Sequence, residues 1–187
     1  MQAIKAATLA DDLDDVQEFV YCDKGACELG QISACASLQH ASLPFNHLNS
    51  LRGVAALRSL RSLNVSHNNI HSLAGLAGAP QLTMLDVSHN KISALAPLTA
   101  CGPLRQLRLD HNAITSAGEV LYLAALTGLR CLALRGNAVV AACGSEADAR
   151  AATLALVPSL QVTRRPPGFD QTLTEEEPTT SAQWQSD

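Results

Sequence analysis

The octamer LNVSHNNI, Leu63 to Ile70, returns as LDVSHNKI at Leu85 to Ile92 and as LRLDHNAI at Leu107 to Ile114, so the chain repeats itself every 22 residues. A fixed period of this length constrains the fold more than composition does, because it requires one supersecondary unit stacked on copies of itself. In full the unit is L-x-x-L-x-L-x-x-N-x-L, with starts at Leu38, Leu60, Leu82, Leu104 and Leu129, giving three steps of 22 residues and one of 25. Counting each start as zero, offset eight is Asn46, Asn68, Asn90, Asn112 and Asn137, and offset ten is Leu48, Ile70, Ile92, Ile114 and Val139. Offsets thirteen, sixteen and nineteen stay mostly apolar, as in Leu51, Val54 and Leu57 or Leu95, Leu98 and Cys101, and form the return limb of each coil.

Stacking explains the pattern. Each coil contributes one short strand to a parallel sheet, with offsets three and five turned inward and neighbouring strands about 4.8 Å apart. One coil cannot cover its own apolar edges, so several must stack and both ends must be capped. The turn after each strand leaves inward-facing backbone donors and acceptors outside the sheet ladder, and an asparagine amide can satisfy both kinds. The five asparagines are therefore read as a buried structural ladder. The fold class is α/β: a solenoid of about six coils with a curved parallel sheet on its concave side, a helical N-terminal cap and a C-terminal cap.

The register extends backwards to Val16, where Phe19, Tyr21, Ala26, Leu29, Ile32 and Cys35 keep the apolar positions and only the asparagine is lost, to Lys24. Residues 16–37 are thus a degenerate first repeat, the repeats run over 16–139, and residues 1–15 are assigned to an acidic cap helix. Downstream, residues 140–166 form the C-terminal cap. Ser145 and Asp148 have capping-box spacing, and the segment after them continues through Ala and Leu without a breaker until Pro158. Val157, Leu160 and Val162 then repeat offsets zero, three and five as a last half-coil, before Pro166 and Pro167 stop pairing. Residues 167–187 are polar and acidic, a composition that predicts disorder, with Trp184 a candidate docking contact.

Composition agrees with a regular aliphatic interior, since only 3% of residues are aromatic while 47% are hydrophobic. The first residues hold no apolar run of signal-peptide length and no stretch approaches a membrane span, so a soluble intracellular chain is expected. Six cysteines without C-x-x-C spacing are read as reduced thiols. Charge is divided: residues 1–37 hold two lysines against seven acids, residues 38–166 hold eleven bases against five acids, and residues 167–187 hold five acids and no base. A basic body between acidic ends can steer an acidic partner or be covered by the chain's own tail.

Function is expected on the concave face, where offsets two, four and six point outward by the alternation of strand side chains. The candidate partner-binding residues are His40, Ser42, Phe45, Asn64, Ser66, Met84, Asp86, Gln106, Arg108, Asp110, Arg130 and Arg135. Basic character rises toward the C-terminal coils, which suits a partner helix or loop with an acidic edge, and Met84 and Phe45 are candidate apolar contacts. His67, His89 and His111 share offset seven and should form a column about 5 Å in repeat, broken by Phe45 and Gly136. Such a column could hold a metal or sense pH, but no acid is placed to orient the rings, so the histidines are read as rim residues open to a partner. No Gly-rich phosphate loop and no G-x-S-x-G occurs, and no catalytic residue, metal or cofactor is expected. With neither an aromatic stacking platform nor a Lys-rich stripe, direct nucleic-acid contact is not expected.

These residues and spacings resemble intracellular leucine-rich repeat proteins of the 22-residue type, the phosphatase-regulatory subclass, over about residues 16–166. The end of the repeats is similar to that group's C-terminal cap, written as leucines, Gly-Asn-Pro, a helix and Leu-Pro-x-Leu. Gly136-Asn137 and Val157-Pro158-Ser159-Leu160 match it, whereas Ala138 replaces the usual proline and Thr163-Arg164-Arg165 replaces an acidic Asp-Gly. The 25-residue step and the long gap from Asn137 to Pro158 are similar to the repeat-type light chains of axonemal outer-arm dynein. The resemblance implies a non-enzymatic adaptor in the cytoplasm or in the axoneme of a cilium or flagellum, with an axonemal dynein heavy chain as its partner. The alternative it implies is a regulatory subunit of a phosphatase or a nuclear spliceosomal ribonucleoprotein component.

Overall fold

Offsets two to four of each coil are extended, giving strands β1 (Glu18–Val20), β2 (His40–Ser42), β3 (Ser62–Asn64), β4 (Met84–Asp86), β5 (Gln106–Arg108) and β6 (Cys131–Ala133) in a computed structural model that describes residues 15–29, 32–157 and 160. They form one parallel sheet in chain order, with Glu18 opposite His40, His40 opposite Ser62, Ser62 opposite Met84, Met84 opposite Gln106 and Gln106 opposite Cys131. The register therefore advances by one repeat per strand, even across the 25-residue step. The sheet is curved and unclosed.

Burial follows the offsets. Leu38, Leu60, Leu82, Leu104 and Leu129 at offset zero are fully buried, as are Ile70, Ile92 and Ile114 at offset ten. Each contributes about 1.5–3 kcal/mol relative to exposure, and all belong to one continuous core. The return limbs are short 3-10 helices at Ile32–Ala34, Val54–Ala56, Ala74–Gly78, Ala96–Ala100 and Tyr122–Ala125. In the longer coil the extra residues become α1 (Ala117–Leu121), whose first turn is capped by Ser116 Oγ accepting from the Gly118 N–H at 3.1 Å. Glu119 from the same turn accepts the Leu95 N–H at 2.7 Å, which ties the insertion to the coil before it.

The asparagines stitch consecutive coils together. Asn90 Nδ2 donates to Val65 O, Val87 O and Ser88 O at 3.0–3.1 Å, while its Oδ1 accepts the Ile70 N–H at 2.9 Å. Two of those partners belong to the preceding coil. Asn68, Asn112 and Asn137 repeat the arrangement one coil away each time. Asn46 serves the degenerate first coil, accepting from the Lys24 and Ala26 N–H groups and donating to Tyr21 O.

After β6, α2 (Ala138–Ala141) and α3 (Glu146–Leu156) close the C-terminal end. Ser145 caps α3: its Oγ accepts the Asp148 N–H at 3.1 Å and donates to Asp148 Oδ2 at 2.6 Å. Val157 and Leu160 are buried against the same core. Ser145→Ala is expected to lower stability by about 1 kcal/mol, read as a shift of the urea midpoint with unchanged slope. The acidic cap assigned to residues 1–15, apart from Asp15, lies outside the described residues, as do Pro158, Val162 and the tail from 167 onward. Among the described residues, no helix is long and apolar enough to cross a membrane.

Candidate protein-binding face

The concave face is built from the outward side chains of the six strands. Glu18, His40 and Arg135 are exposed, and Ser42, Asn64, Met84, Gln106, Arg108 and Cys131 are half-buried. Val20, which the sequence reading did not place on the face, is the most open large apolar side chain there, at 57% exposure. Extending the outward positions into the degenerate coil, as was done for the inward ones, would have found it.

Four of the expected contact residues, Asp86, Ser66, Arg108 and Arg130, do not present themselves openly on the face. Asp86 is only 3% exposed, because Arg108 on the next strand lies against it with Nη1 at 3.1 Å from Asp86 Oδ2. Ser66 is also buried, and its N–H donates to Asn64 Oδ1 at 3.0 Å. Arg108 itself is not an open charge, since its Nε lies 3.6 Å from Asp110 Oδ2, so two carboxylates flank one guanidinium. Asp110 additionally accepts the Arg135 N–H at 2.9 Å. The middle of the face is therefore a paired polar cluster with one carboxylate in excess rather than a basic one. Arg130 does not contribute to the face either: it lies on the edge where the strands begin, beside Arg105 and a shallow recess.

Along the opposite rim, where the strands end, offset seven adopts a left-handed backbone in every coil: φ is 51° at Asp23, 55° at Phe45, 54° at His67, 54° at His89, 52° at His111 and 71° at Gly136. Aspartate and histidine are among the few side chains enriched in this region, so the identity of offset seven is partly a backbone requirement. The rings stack, with centroid distances of 4.1 Å for Phe45–His67, 4.0 Å for His67–His89 and 4.4 Å for His89–His111. Phe45 thus extends the column instead of breaking it, and the repeat is tighter than the strand spacing. Gly136 ends the column because a Cβ there would run into the His111 ring. Among the described residues no group of histidine, cysteine and acid could hold a metal ion. Cys101 is fully buried, and that burial pushes its thiol pKa up, which removes it as a nucleophile.

A sheet stitched by one asparagine per coil and backed by leucines defines the leucine-rich repeat fold. Residues 58–100 match the family model described as Leucine Rich repeats (2 copies). Among solved structures, the functional domain of InlJ from Listeria monocytogenes is similar with 25% identity and a TM-score of 0.56, over 65% of this chain and 25% of that one. A leucine-rich repeat protein of Leptospira interrogans is similar with 25% identity and a TM-score of 0.61, over 72% of this chain and 33% of that one. The chain thus spans a quarter to a third of these two relatives. No curated protein sequence matches it. Leucine-rich repeat proteins generally mediate protein–protein interaction, and the fold is typically a non-enzymatic scaffold.

Proposed function

We propose that the chain is a non-enzymatic adaptor that docks a larger protein on the concave face of its sheet. The observation that carries this reading is the open face itself, whose outward side chains are held at fixed spacing by the paired strands. Val20, Met84 and the polar Gln106 and Arg135 share the face with the Asp86–Arg108–Asp110 cluster, which holds one carboxylate in excess, a mixture suited to a partner helix or loop rather than to a strongly acidic surface. Within this reading the partner is an axonemal dynein heavy chain and the site of action a cilium or flagellum. The 25-residue step and the long cap segment support that choice. A phosphatase or spliceosomal assembly is the alternative, because the 22-residue repeats and their C-terminal cap resemble chains of those assemblies as well.

Met84→Arg combined with Arg135→Glu should weaken capture of the partner at least tenfold, equivalent to about 1.4 kcal/mol, while the melting temperature stays unchanged. Affinity purification of the native chain identifies that partner: co-elution of a dynein heavy chain supports the motor reading, and co-elution of a phosphatase catalytic subunit or spliceosomal proteins overturns it. Capture undiminished by the double substitution would move the site off this face. Arg108 is left intact in this test, because replacing it would strand the buried Asp86 carboxylate and confound binding with folding.

A further inference from the structure

The edge where the strands begin differs in charge from both the face and the opposite rim. Offset one of the six coils is Gln17, Gln39, Arg61, Thr83, Arg105 and Arg130, and no acid occupies it. Backbone bonds place these residues side by side: the N–H of Arg61 donates to Gln39 O, Thr83 to Arg61 O, Arg105 to Thr83 O and Arg130 to Arg105 O, all at 2.8–2.9 Å. Arg61, Arg105 and Arg130 are exposed. Among the described residues the ion pairs involve Arg108 alone, so none of the three edge arginines is paired with a described carboxylate. Arg105 and Arg130 on adjacent strands flank a shallow recess of about 490 Å³, completed by Thr83, Gly102, Pro103, Thr127 and Gly128. Like charges on neighbouring strands disfavour each other, and an anionic occupant removes that repulsion.

We infer that this recess is the docking site of the chain's own acidic C-terminal segment, with Glu175, Glu176 and Glu177 against Arg105 and Arg130. The charges are complementary, since residues 167–187 carry five acids and no base. Leu160, the last described residue, is buried in the core that the strands share. From Leu160 to Glu175 an extended chain reaches about 50 Å, about twice the roughly 24 Å that the five strand spacings of the whole sheet cover. Tethering then supplies an effective concentration on the order of millimolar, which favours a charge-driven contact that separate molecules would not hold. The docked segment excludes other anionic segments from this edge.

The tail holds Trp184, the single tryptophan of the chain, which makes the contact directly readable by fluorescence anisotropy of the full chain. Anisotropy is expected to fall as salt rises from 20 to 500 mM, because screening shortens the reach of exposed charges. Arg105→Glu with Arg130→Glu should abolish that salt-dependent part with the circular dichroism unchanged. Glu175→Gln, Glu176→Gln and Glu177→Gln together should abolish it without touching the folded core. Adding Glu175→Arg and Glu176→Arg to the arginine variant should restore it. Anisotropy indifferent to salt, or to either set of substitutions, overturns the inference. A salt-dependent signal that grows with protein concentration also overturns it, since it would place the tail on a second copy.

Discussion

Asn90→Ala should cost about 3–5 kcal/mol, a large share of the 5–15 kcal/mol that a domain of this size commands. The substitution removes four hydrogen bonds at once: the Ile70 N–H loses its acceptor, and the carbonyls of Val65, Val87 and Ser88 each lose one of two donors, keeping those from Asn68, Asn112 and His67. Leaving the buried Ile70 N–H without a partner costs about 1–3 kcal/mol and each of the three other lost bonds about 0.5–1.5 kcal/mol, and a methyl side chain admits only partial rescue by water. Urea denaturation followed by circular dichroism reads the loss as a lower midpoint. Asn112→Ala should cost less, because that asparagine makes the same set of bonds from a more exposed position where water can substitute. Equal stability of Asn90→Ala and the native chain would remove the ladder from the account of this fold.

Gly75→Ala is expected to destabilise by about 2–3 kcal/mol through overpacking. Gly75 lies on the 3-10 return limb Ala74–Gly78, and a methyl group there would overlap the carbonyl of Leu51 in the coil beneath. Backbone cannot swing aside as a side chain does, so the two coils must part. Gly102 supplies the control: a Cβ there meets nothing within 4 Å. Gly102→Ala should therefore be neutral or stabilising by roughly 0.5 kcal/mol through the unfolded state. Thermal unfolding of both variants decides the matter, and a Gly75→Ala melt that coincides with the native one would show that the limbs are not in close contact.

The leucines and asparagines were legible because the core and the turn demand fixed residue types at fixed intervals, and nothing from outside the coil changes that demand. The left-handed offset seven was partly legible: a recurring histidine that ends in glycine is the signature of a position where most side chains are strained, although Phe45 conceals it. The close approach at Gly78 also left a trace, since the neighbouring limbs end on small residues, Ala56 and Ala100. What the repeat could not disclose was the state of the face. Whether Arg108 is open or neutralised depends on which residues the register sets beside it, Asp86 from the strand before and Asp110 two residues on. Those positions vary freely from coil to coil, so their meaning emerges only from pairs.

The asparagine amides reach backward: each completes the turn of the coil that precedes it in the sequence, as Asn90 does for Ile70 and Asn112 for Ile92. A chain emerging from a ribosome at about 5–20 residues per second therefore leaves its newest coil unlatched for the seconds needed to make the next one. Biosynthesis and structural closure run in the same direction with a lag of one repeat. A nascent chain whose emerged part ends just before an asparagine should leave one coil open to proteolysis, and one whose emerged part ends just after it should leave that coil closed.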